Sequence, residues 1–478
     1  MSRIRHGAWL SVAVVATACT TVGPDYAPPE RELPPAWRQE RIAGLAEGEP
    51  LPASWWTTFG DPLLSLLVEN ALQQNLDLRA ALLRLQAARA LRGVTEADAW
   101  PGADLRASFE DRQDSRNTPF GAFIPRTNIH AIGVDAAWEL DLWGRVRRSI
   151  EAAEADRGVS EAEVHGAAVS VAAEVVAAYI DLRSAQRRLQ IAEANLTLQQ
   201  QTTQLVQARL SAGLVGERDV AQATTNVEST RSRLPTLSAQ ATAAQNRLAV
   251  LLGKAPAELP TELATTGTLP VPPLSVAVGV PADLLRRRPD VHAAERRFAA
   301  EVARIGVAEA ERYPRLSLSG TLGLAANAAD EVFTKGSDVL AFGPSLRWNL
   351  FDGGRLKHRV QSLTARAEAA QVAWEQTLLL ALEEAENAMT RFVREQERLA
   401  ALRRAAAEAR RAVALAQAQY RTGLSDFQTV IDSERTVAAI EDELIGSEAA
   451  VAAHLVAIYK ALGGGLAKPS ADDVHTDR

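Results

Sequence analysis

Cys19 is the only cysteine in a chain of 478 residues. A lone thiol cannot close an internal disulfide; it can pair between chains, stay inert, or serve as the attachment point for a lipid. No other reactive set emerges from residue spacing. Gly253-Lys254 is followed by Ala255 and lacks the upstream glycine of a phosphate-binding loop. No Gly-x-Ser-x-Gly nucleophile elbow occurs. The seven histidines are scattered without metal-ligand spacing. Glu383-Glu384 sits in a charged helical pattern and reads as solvated surface rather than an acid–base pair. The expectation is therefore a chain that is not an enzyme, with no catalytic residue, no metal and no cofactor apart from a covalent group on Cys19.

The position of Cys19 favours lipid. Arg3, Arg5 and His6 form a basic start, and Ala8 to Ala18 is an apolar run with small residues at its end. This is the pattern of an export signal over residues 1–18. The run is too short for a membrane-spanning helix, which needs about 20 residues. Ala16-Thr17-Ala18-Cys19 resembles a bacterial lipobox, with Ala16 where leucine is usual. Residues 19–60 are rich in Pro, Glu and Arg without periodicity and read as an extended, lipid-anchored tether.

A net charge of −7 carries no basic signature of nucleic-acid binding. Hydrophobic content of 47% is enough for folded structure, and its alanine richness suits long helices. No run of 18 apolar residues follows residue 20, so a membrane crossing by this chain is expected to use strands.

The elements occur twice. Trp138-Glu-Leu-Asp-Leu-Trp-Gly-Arg145 aligns with Trp348-Asn-Leu-Phe-Asp-Gly-Gly-Arg355 at an offset of 210, the difference between 348 and 138. The same offset superposes Gly213-Leu214 on Gly423-Leu424 and Leu252-Gly253 on Leu462-Gly463. An offset of 213 superposes Trp100-Pro101 on Tyr313-Pro314. Two tandem repeats are expected, at 61–253 and 282–463, with a Pro- and Thr-rich linker at 254–281 and a C-terminal tail at 464–478.

Each repeat reads as helix, two β-strands, then a long helical hairpin, a mixed α and β fold. Alternation of apolar and polar residues places strands at about 103–111, 132–142, 315–325 and 341–351. The polar faces carry Arg106, Glu139, Asp141 and Arg347. Tunnel-length helices follow at about 144–252 and 354–462. From Gly354 to about Thr422 no proline occurs, so about 70 residues, or about 105 Å, can stay helical. Gly213 and Gly423 mark the stops. Four amphipathic strands cannot close a barrel, for which about eight is the minimum. In lipid every strand edge must be paired, so several chains would have to share one barrel; two chains would give eight strands and a filled interior, and three would give 12, wide enough for a polar lumen.

The chain also resembles a known family. Cys19-Thr-Thr-Val-Gly-Pro-Asp-Tyr26 with Pro28 is similar to the N-terminal signature of the outer membrane factor (TolC-like) family. So is Trp55-Trp56-Thr-Thr-Phe59-Gly60-Asp61-Pro62-Leu63. Leu285-Arg-Arg-Arg-Pro-Asp290-Val, Tyr313-Pro314 and Trp348-Asn-Leu-Phe-Asp352-Gly-Gly match further motifs. The resemblance is to the lipoprotein drug-efflux branch, of the OprM/NodT type, and covers nearly the whole mature chain. It implies a homotrimer whose 12-stranded β-barrel lies in the outer membrane on an α-helical periplasmic tunnel with an equatorial belt. It implies a channel in a tripartite efflux system, taking substrate from an inner-membrane pump of RND type through a periplasmic adaptor (membrane fusion) protein. Outer membrane lipid is a further expected partner.

The resemblance also assigns residues. Gly213, Leu214, Gly423 and Leu424 match the hairpin turns that dock the adaptor. Val430-Ile431-Asp432 matches the aspartate ring of the periplasmic gate. The family places a second aspartate where this chain has Thr429, and some members carry leucine at Gln428. Read without the family, Asp432 is a helix-face charge able to pair with Arg435 or Arg421. Trp138 and Trp348 suit the barrel's membrane interface. Two alternatives to the efflux channel are a lipid-anchored coiled-coil scaffold with a small soluble sheet and a type I secretion exit channel.

Overall fold

The computed structural model describes residues 20–34, 37, 45–46, 52–119, 123, 125–259, 263–273, 276–277 and 286–465. The export signal, Cys19, parts of the tether and of the 254–281 linker, and the tail beyond 465 lie outside the described residues. In chain order the main elements are β1 (Leu45–Ala46), α1 (Pro62–Gln74), α2 (Leu76–Ala97), β2 (Gly102–Arg112) and β3 (Thr127–Leu140). Then come α3 (Arg145–Ser211), α4 (Glu217–Arg231), α5 (Leu234–Leu251) and β4 (Val276–Ala277). The chain closes with α6 (Pro289–Ala310), β5 (Arg315–Ala326), β6 (Asp338–Arg347), α7 (Arg355–Thr422) and α8 (Phe427–Ala461). Two compact units are formed. The first is Met1–Glu30, Arg84–Glu161 and Ala293–Glu375; the second is Arg31–Leu83, Ala162–His292 and Gln376–Arg478.

The first unit holds an antiparallel sheet in the order β2-β3-β5-β6. Its register lines up side chains by kind. Leu105, Val134, Leu322 and Leu340 form one row across all four strands. All four are exposed, as are Phe342 and Leu346 on the same face of β6. The alternate row of Asp104, Asp135, Thr321 and Ala341 is mostly polar, and Thr321 Oγ1 donates to Asp135 at 2.6 Å. The sheet thus has an apolar and a polar face, as period-two alternation requires. Every residue of β2 is exposed. The apolar row is open to solvent, and among the described residues no strand pairs with the outer edges of β2 and β6. This departs from the soluble sheet that the scaffold alternative needs, whose apolar face would be covered.

The strand ends differ from the alternation pattern. β3 stops at Leu140 and β6 at Arg347, so Asp141, Trp348 and Leu350 lie outside the strands. Hydrogen bonding at the strand-to-helix junction overrides the pattern. Asp141 accepts from the N–H groups of Val146 at 3.1 Å and Arg147 at 3.0 Å. In the second repeat Asp352 accepts from Gly354 and Leu356 at 2.9 and 3.0 Å. Each carboxylate satisfies helix N–H groups that have no intrahelical partner. Glu139 makes a paired contact with Arg145 at 2.8 and 2.9 Å. Glu139 and Asp141, expected to line water on the polar strand face, are therefore committed to the junction.

The N-terminal segment packs onto this junction. Val22 N–H donates to the Trp143 carbonyl at 3.1 Å. Arg148 donates to Asp25 at 2.6 Å and to Glu151 at 2.8 Å. Gly23 has φ +88°, and a Cβ built there would sit 2.5 Å from Gly306 Cα, so Gly23 admits no side chain without backbone movement. Tyr26 donates to Glu295 at 2.7 Å.

The second unit is built on helices and aromatic packing. Trp55, fully buried, stacks on Tyr459 at 4.8 Å and meets Trp56 edge-on at 5.9 Å. Asp61 caps α1 by accepting from Leu63 and Leu64, and its other oxygen accepts from Tyr179 at 2.7 Å. Burial, followed by the bond to Asp61, pushes the Tyr179 phenol up to about 12, so it stays a donor. Arg288 joins Asp290 at 2.8 Å, Glu384 at 2.7 Å and the Ala461 carbonyl at 2.7 Å. These motifs thus fasten helix ends. α3 and α8 each contain a stretch long and apolar enough to cross a membrane, but 56% and 50% of it is buried inside the protein.

The part of the 144–252 helical stretch that follows the Gly213 stop is two helices, α4 and α5. Pro235 explains the break. It has no N–H to donate, and its ring clashes with the carbonyl four residues earlier, that of Arg231. α4 ends at Arg231, and Pro235 sits in the first turn of α5, where a missing N–H costs nothing.

Candidate functional site at the hairpin tips

The two hairpin turns are closed by the same bonds. After α3, Gly213 N–H donates to Leu210 and Leu214 N–H to Arg209, both at 2.9 Å. After α7, Gly423 N–H donates to Tyr420 at 3.0 Å and Leu424 N–H to Gln419 at 2.9 Å. This Schellman closure needs a left-handed residue, and the glycines supply it at φ +71° and +77°. The motif commonly packs the residue after the glycine against an apolar residue of the last turn. Here those positions are Arg209 and Gln419, and Leu214 and Leu424 remain 72% and 81% exposed.

The start of α8 is fixed by Asp426. Its Oδ1 accepts from Thr429 Oγ1 at 2.6 Å and Thr429 N–H at 2.9 Å. These two bonds hold the Asp426 carboxyl below its usual range. Thr429 is therefore half of a helix cap. Gln428 Nε2 donates to Asp432 Oδ1 at 3.0 Å. Gln428, Thr429 and Asp432 are all exposed, whereas Phe427, Val430, Ile431 and Glu434 are buried. Among the described residues Asp432 forms no ion pair with Arg421 or Arg435; Arg435 reaches Asn226 Oδ1 at 3.4 Å.

Beneath this surface Val206, Ala223, Ala416, Tyr420, Phe427, Val430 and Ile431 pack together. Arg209 lies over the Tyr420 ring at 4.2 Å. Its guanidinium donates to the carbonyls of Tyr420 at 2.7 Å and Arg421 at 3.0 Å. A cation placed on the last carbonyls of a helix is favourable. A little deeper, buried Glu434 bonds to Thr202, Asn226 and Gln417. Sequence reasoning singled out neither Arg209 nor Glu434. A signal was present for Glu434: it stands at helical spacing with Phe427, Val430, Ile431 and Val437, a charge on an otherwise apolar stripe.

The four expected turn residues and the three expected gate residues therefore all lie at the ends of the helical hairpins of the second unit. Nothing in this geometry resembles a catalytic constellation, and among the described residues no cluster of His, Cys, Asp and Glu could hold a metal. A family model described as outer membrane efflux protein matches residues 67–254 and 280–464. The chain belongs to the outer membrane efflux protein family.

Relatives of this outer membrane efflux protein match along most of their length. Nodulation protein T of Rhizobium leguminosarum bv. trifolii is 32% identical over 423 residues, 88% of this chain and 90% of the relative. Outer membrane protein OprJ of Pseudomonas aeruginosa is 31% identical over 462 residues, 95% of each chain. The solved structure of the outer-membrane channel OprN superposes with a TM-score of 0.85 at 38% identity, covering 94% of this chain and 100% of that one. The family is one of efflux channels and its place is the outer membrane.

Within this outer membrane efflux protein, Trp138 and Trp348 stand at equivalent points of the two repeats. Trp138 Nε1 donates to the Ala99 carbonyl, and Trp348 Nε1 to the Arg312 carbonyl, each at 3.0 Å. Each indole closes the chain between a helix and the strand that follows it, with its ring still partly or largely exposed. An amphipathic ring tethered by its N–H suits a boundary between apolar and polar surroundings.

Proposed function

We propose that three copies of this chain share one 12-stranded barrel in the outer membrane and that the helical hairpins form a periplasmic tunnel below it. The observation that carries this reading is the four-stranded sheet with an exposed apolar face and two outer edges that pair with no strand among the described residues. Lipid would satisfy the face, and neighbouring copies the edges. The polar face would line a water-filled lumen, since 12 strands leave more room than the eight that side chains fill. The uncovered sheet also weighs against the scaffold alternative.

The channel serves as the exit duct of a tripartite efflux system. A periplasmic adaptor would dock on the exposed Leu214 and Leu424 turns, and an inner-membrane pump of RND type would supply energy and select substrate. Asp432, repeated in three copies, would form an acidic ring at the periplasmic mouth that attracts cations. Gln428 and Thr429 would stand beside it, Thr429 fixed by its bond to Asp426. Cys19 would carry the lipid anchor, and the segment from Thr20 to Tyr26, bonded through Val22, Asp25 and Tyr26, would tie that anchor to the sheet–helix junction.

The test is single-channel recording of the purified full-length protein in planar bilayers, with a mass measurement of the detergent particle. A trimer with cation-selective openings supports the reading. A monomer without conductance sinks it.

A further inference from the structure

One carboxylate connects all four helices at the tip. Glu434 of α8 is 3% exposed. Its Oε1 accepts from Thr202 Oγ1 of α3 at 2.8 Å and from Gln417 Nε2 of α7 at 3.2 Å. Its Oε2 accepts from Asn226 Nδ2 of α4 at 3.2 Å. Thr202 and Asn226 belong to the first hairpin, Gln417 and Glu434 to the second.

All three donors are neutral. Several charged groups on the same elements pair or bond away from it. Arg209 of α3 holds the Tyr420 and Arg421 carbonyls. On α4, Glu228 pairs with Arg231. Arg410 of α7 pairs with Glu441 of α8 at 2.7 Å. On α8, Arg435 bonds Asn226 and Asp432 bonds Gln428. Tyr420 adds a buried phenol. Among the described residues no cation forms an ion pair with Glu434.

A buried carboxylate without a cation is costly when ionised. Burial accordingly raises the Glu434 pKa, against the opposing pull of its three hydrogen bonds. The site has room for the proton in its bonding scheme. Thr202 Oγ1 lies 2.8 Å from Glu434 Oε1 and 3.1 Å from the Leu198 carbonyl. With Glu434 ionised, Thr202 donates its single proton to Oε1. With Glu434 protonated, Oε1–H donates to Thr202 Oγ1, and Thr202 turns its proton to Leu198. Asn226 and Gln417 donate in both states. Both states are therefore fully bonded, and only the charged one bears the desolvation cost.

We propose that Glu434 is a proton-operated latch, which in its neutral form holds the α3–α4 and α7–α8 hairpins together at their tips and in its charged form loosens them. The sign follows from the raised folded-state value. The stabilisation is complete below the ordinary glutamate pKa of about 4.3 and is lost as pH rises through the higher value in the folded protein. The consequence for passage rests on the tip being the channel's mouth; the latch itself does not.

The experiment is hydrogen–deuterium exchange on the detergent-solubilised full-length protein, following peptides within 199–226 and 417–437. Wild type is compared with Glu434→Gln at each pH from about 5 to about 8, the range across which a raised carboxyl titrates, so that intrinsic exchange cancels. The two should match at the acid end. At the alkaline end wild type should exchange at least about twofold faster, as expected if only wild type gains a buried charge. Glu434→Ala should exchange faster at every pH. If Glu434→Gln does not fold, wild-type tip peptides are referred to peptides around Trp55 and Tyr459, and the tip must gain exchange relative to that core as pH rises. A ratio that stays constant with pH overturns the latch. A changing ratio with pH-independent conductance leaves the latch standing and removes the tip as the mouth.

Discussion

The guanidinium of Arg209 lies 4.2 Å from the centre of the Tyr420 ring and donates to the Tyr420 backbone carbonyl at 2.7 Å. One hairpin thereby caps the helix end of the other. Arg209→Ala removes both a cation–π contact and a charged helix cap, each worth about 0.5–1 kcal/mol at a partly exposed site. We expect faster hydrogen exchange in 416–431 with little change in the global melting temperature. Arg209→Lys keeps the charge but loses the guanidinium's paired donation and should restore only part of the protection. Equal protection in wild type and Arg209→Ala would show the contact to be idle.

The turn glycines and the leucines after them separate stability from docking. Gly423→Ala forces an L-residue to φ +77°, at a cost of about 1–2 kcal/mol, which local exchange at the tip will report. Leu424→Ser removes a side chain that is 81% exposed and should leave stability unchanged. Under the efflux reading Leu214→Ser with Leu424→Ser weakens adaptor binding in a pull-down against its purified adaptor. Undiminished binding would falsify the docking role.

Asp432 and Asp426 sit six residues apart in the chain yet predict different phenotypes. Asp432→Asn should lower cation selectivity in planar bilayers without altering helicity, because its bond within the helix is only to Gln428. Asp426→Ala should fray the start of α8, because it removes the cap on Thr429. The cap is also pH-dependent. The Asp426 pKa is lowered by its Thr429 bonds, so its contribution is present above the ordinary aspartate value of about 3.9 and is lost as pH falls through the lower folded-state value. Exchange at Phe427 to Ile431 measured during acidification checks the sign.

The two faces of the sheet should respond oppositely to charge. Leu322→Arg places a cation in the exposed apolar row with Val134 and Leu340, at about 2–4 kcal/mol if the position lies near the bilayer midplane. Thr321→Arg puts the same charge on the polar face beside Asp135 and should be tolerated. Under the shared-barrel reading, the amount of trimer recovered from the outer membrane fraction distinguishes them. Equal recovery would mean that the apolar row does not meet lipid.

Much of the architecture was readable because it is local. Alternation along β2, β3, β5 and β6 needs only neighbouring residues, and the glycine stops at Gly213 and Gly423 follow from backbone sterics. Boundaries were less readable where two patterns overlapped. Trp348-Asn-Leu350 continues the alternation of β6, yet the Trp348 indole is claimed by Arg312 and Asp352 turns to α7. Pro235 was visible in the sequence, but the surrounding helical periodicity masked the break it imposes.

The sequence by itself determined the order of elements, their duplication and the glycine-marked turns, because each depends on residues close together in the chain. Only the tertiary structure decided what the polar side chains do. Asp141 looks like a strand residue until it caps α3, and Glu434 is only a charge on an apolar stripe until its partners gather round it. Those partners lie 232 and 208 residues away on α3 and α4, and 17 away on α7. A burial that converts a glutamate into a proton-sensitive group exists only once those distant segments are packed together.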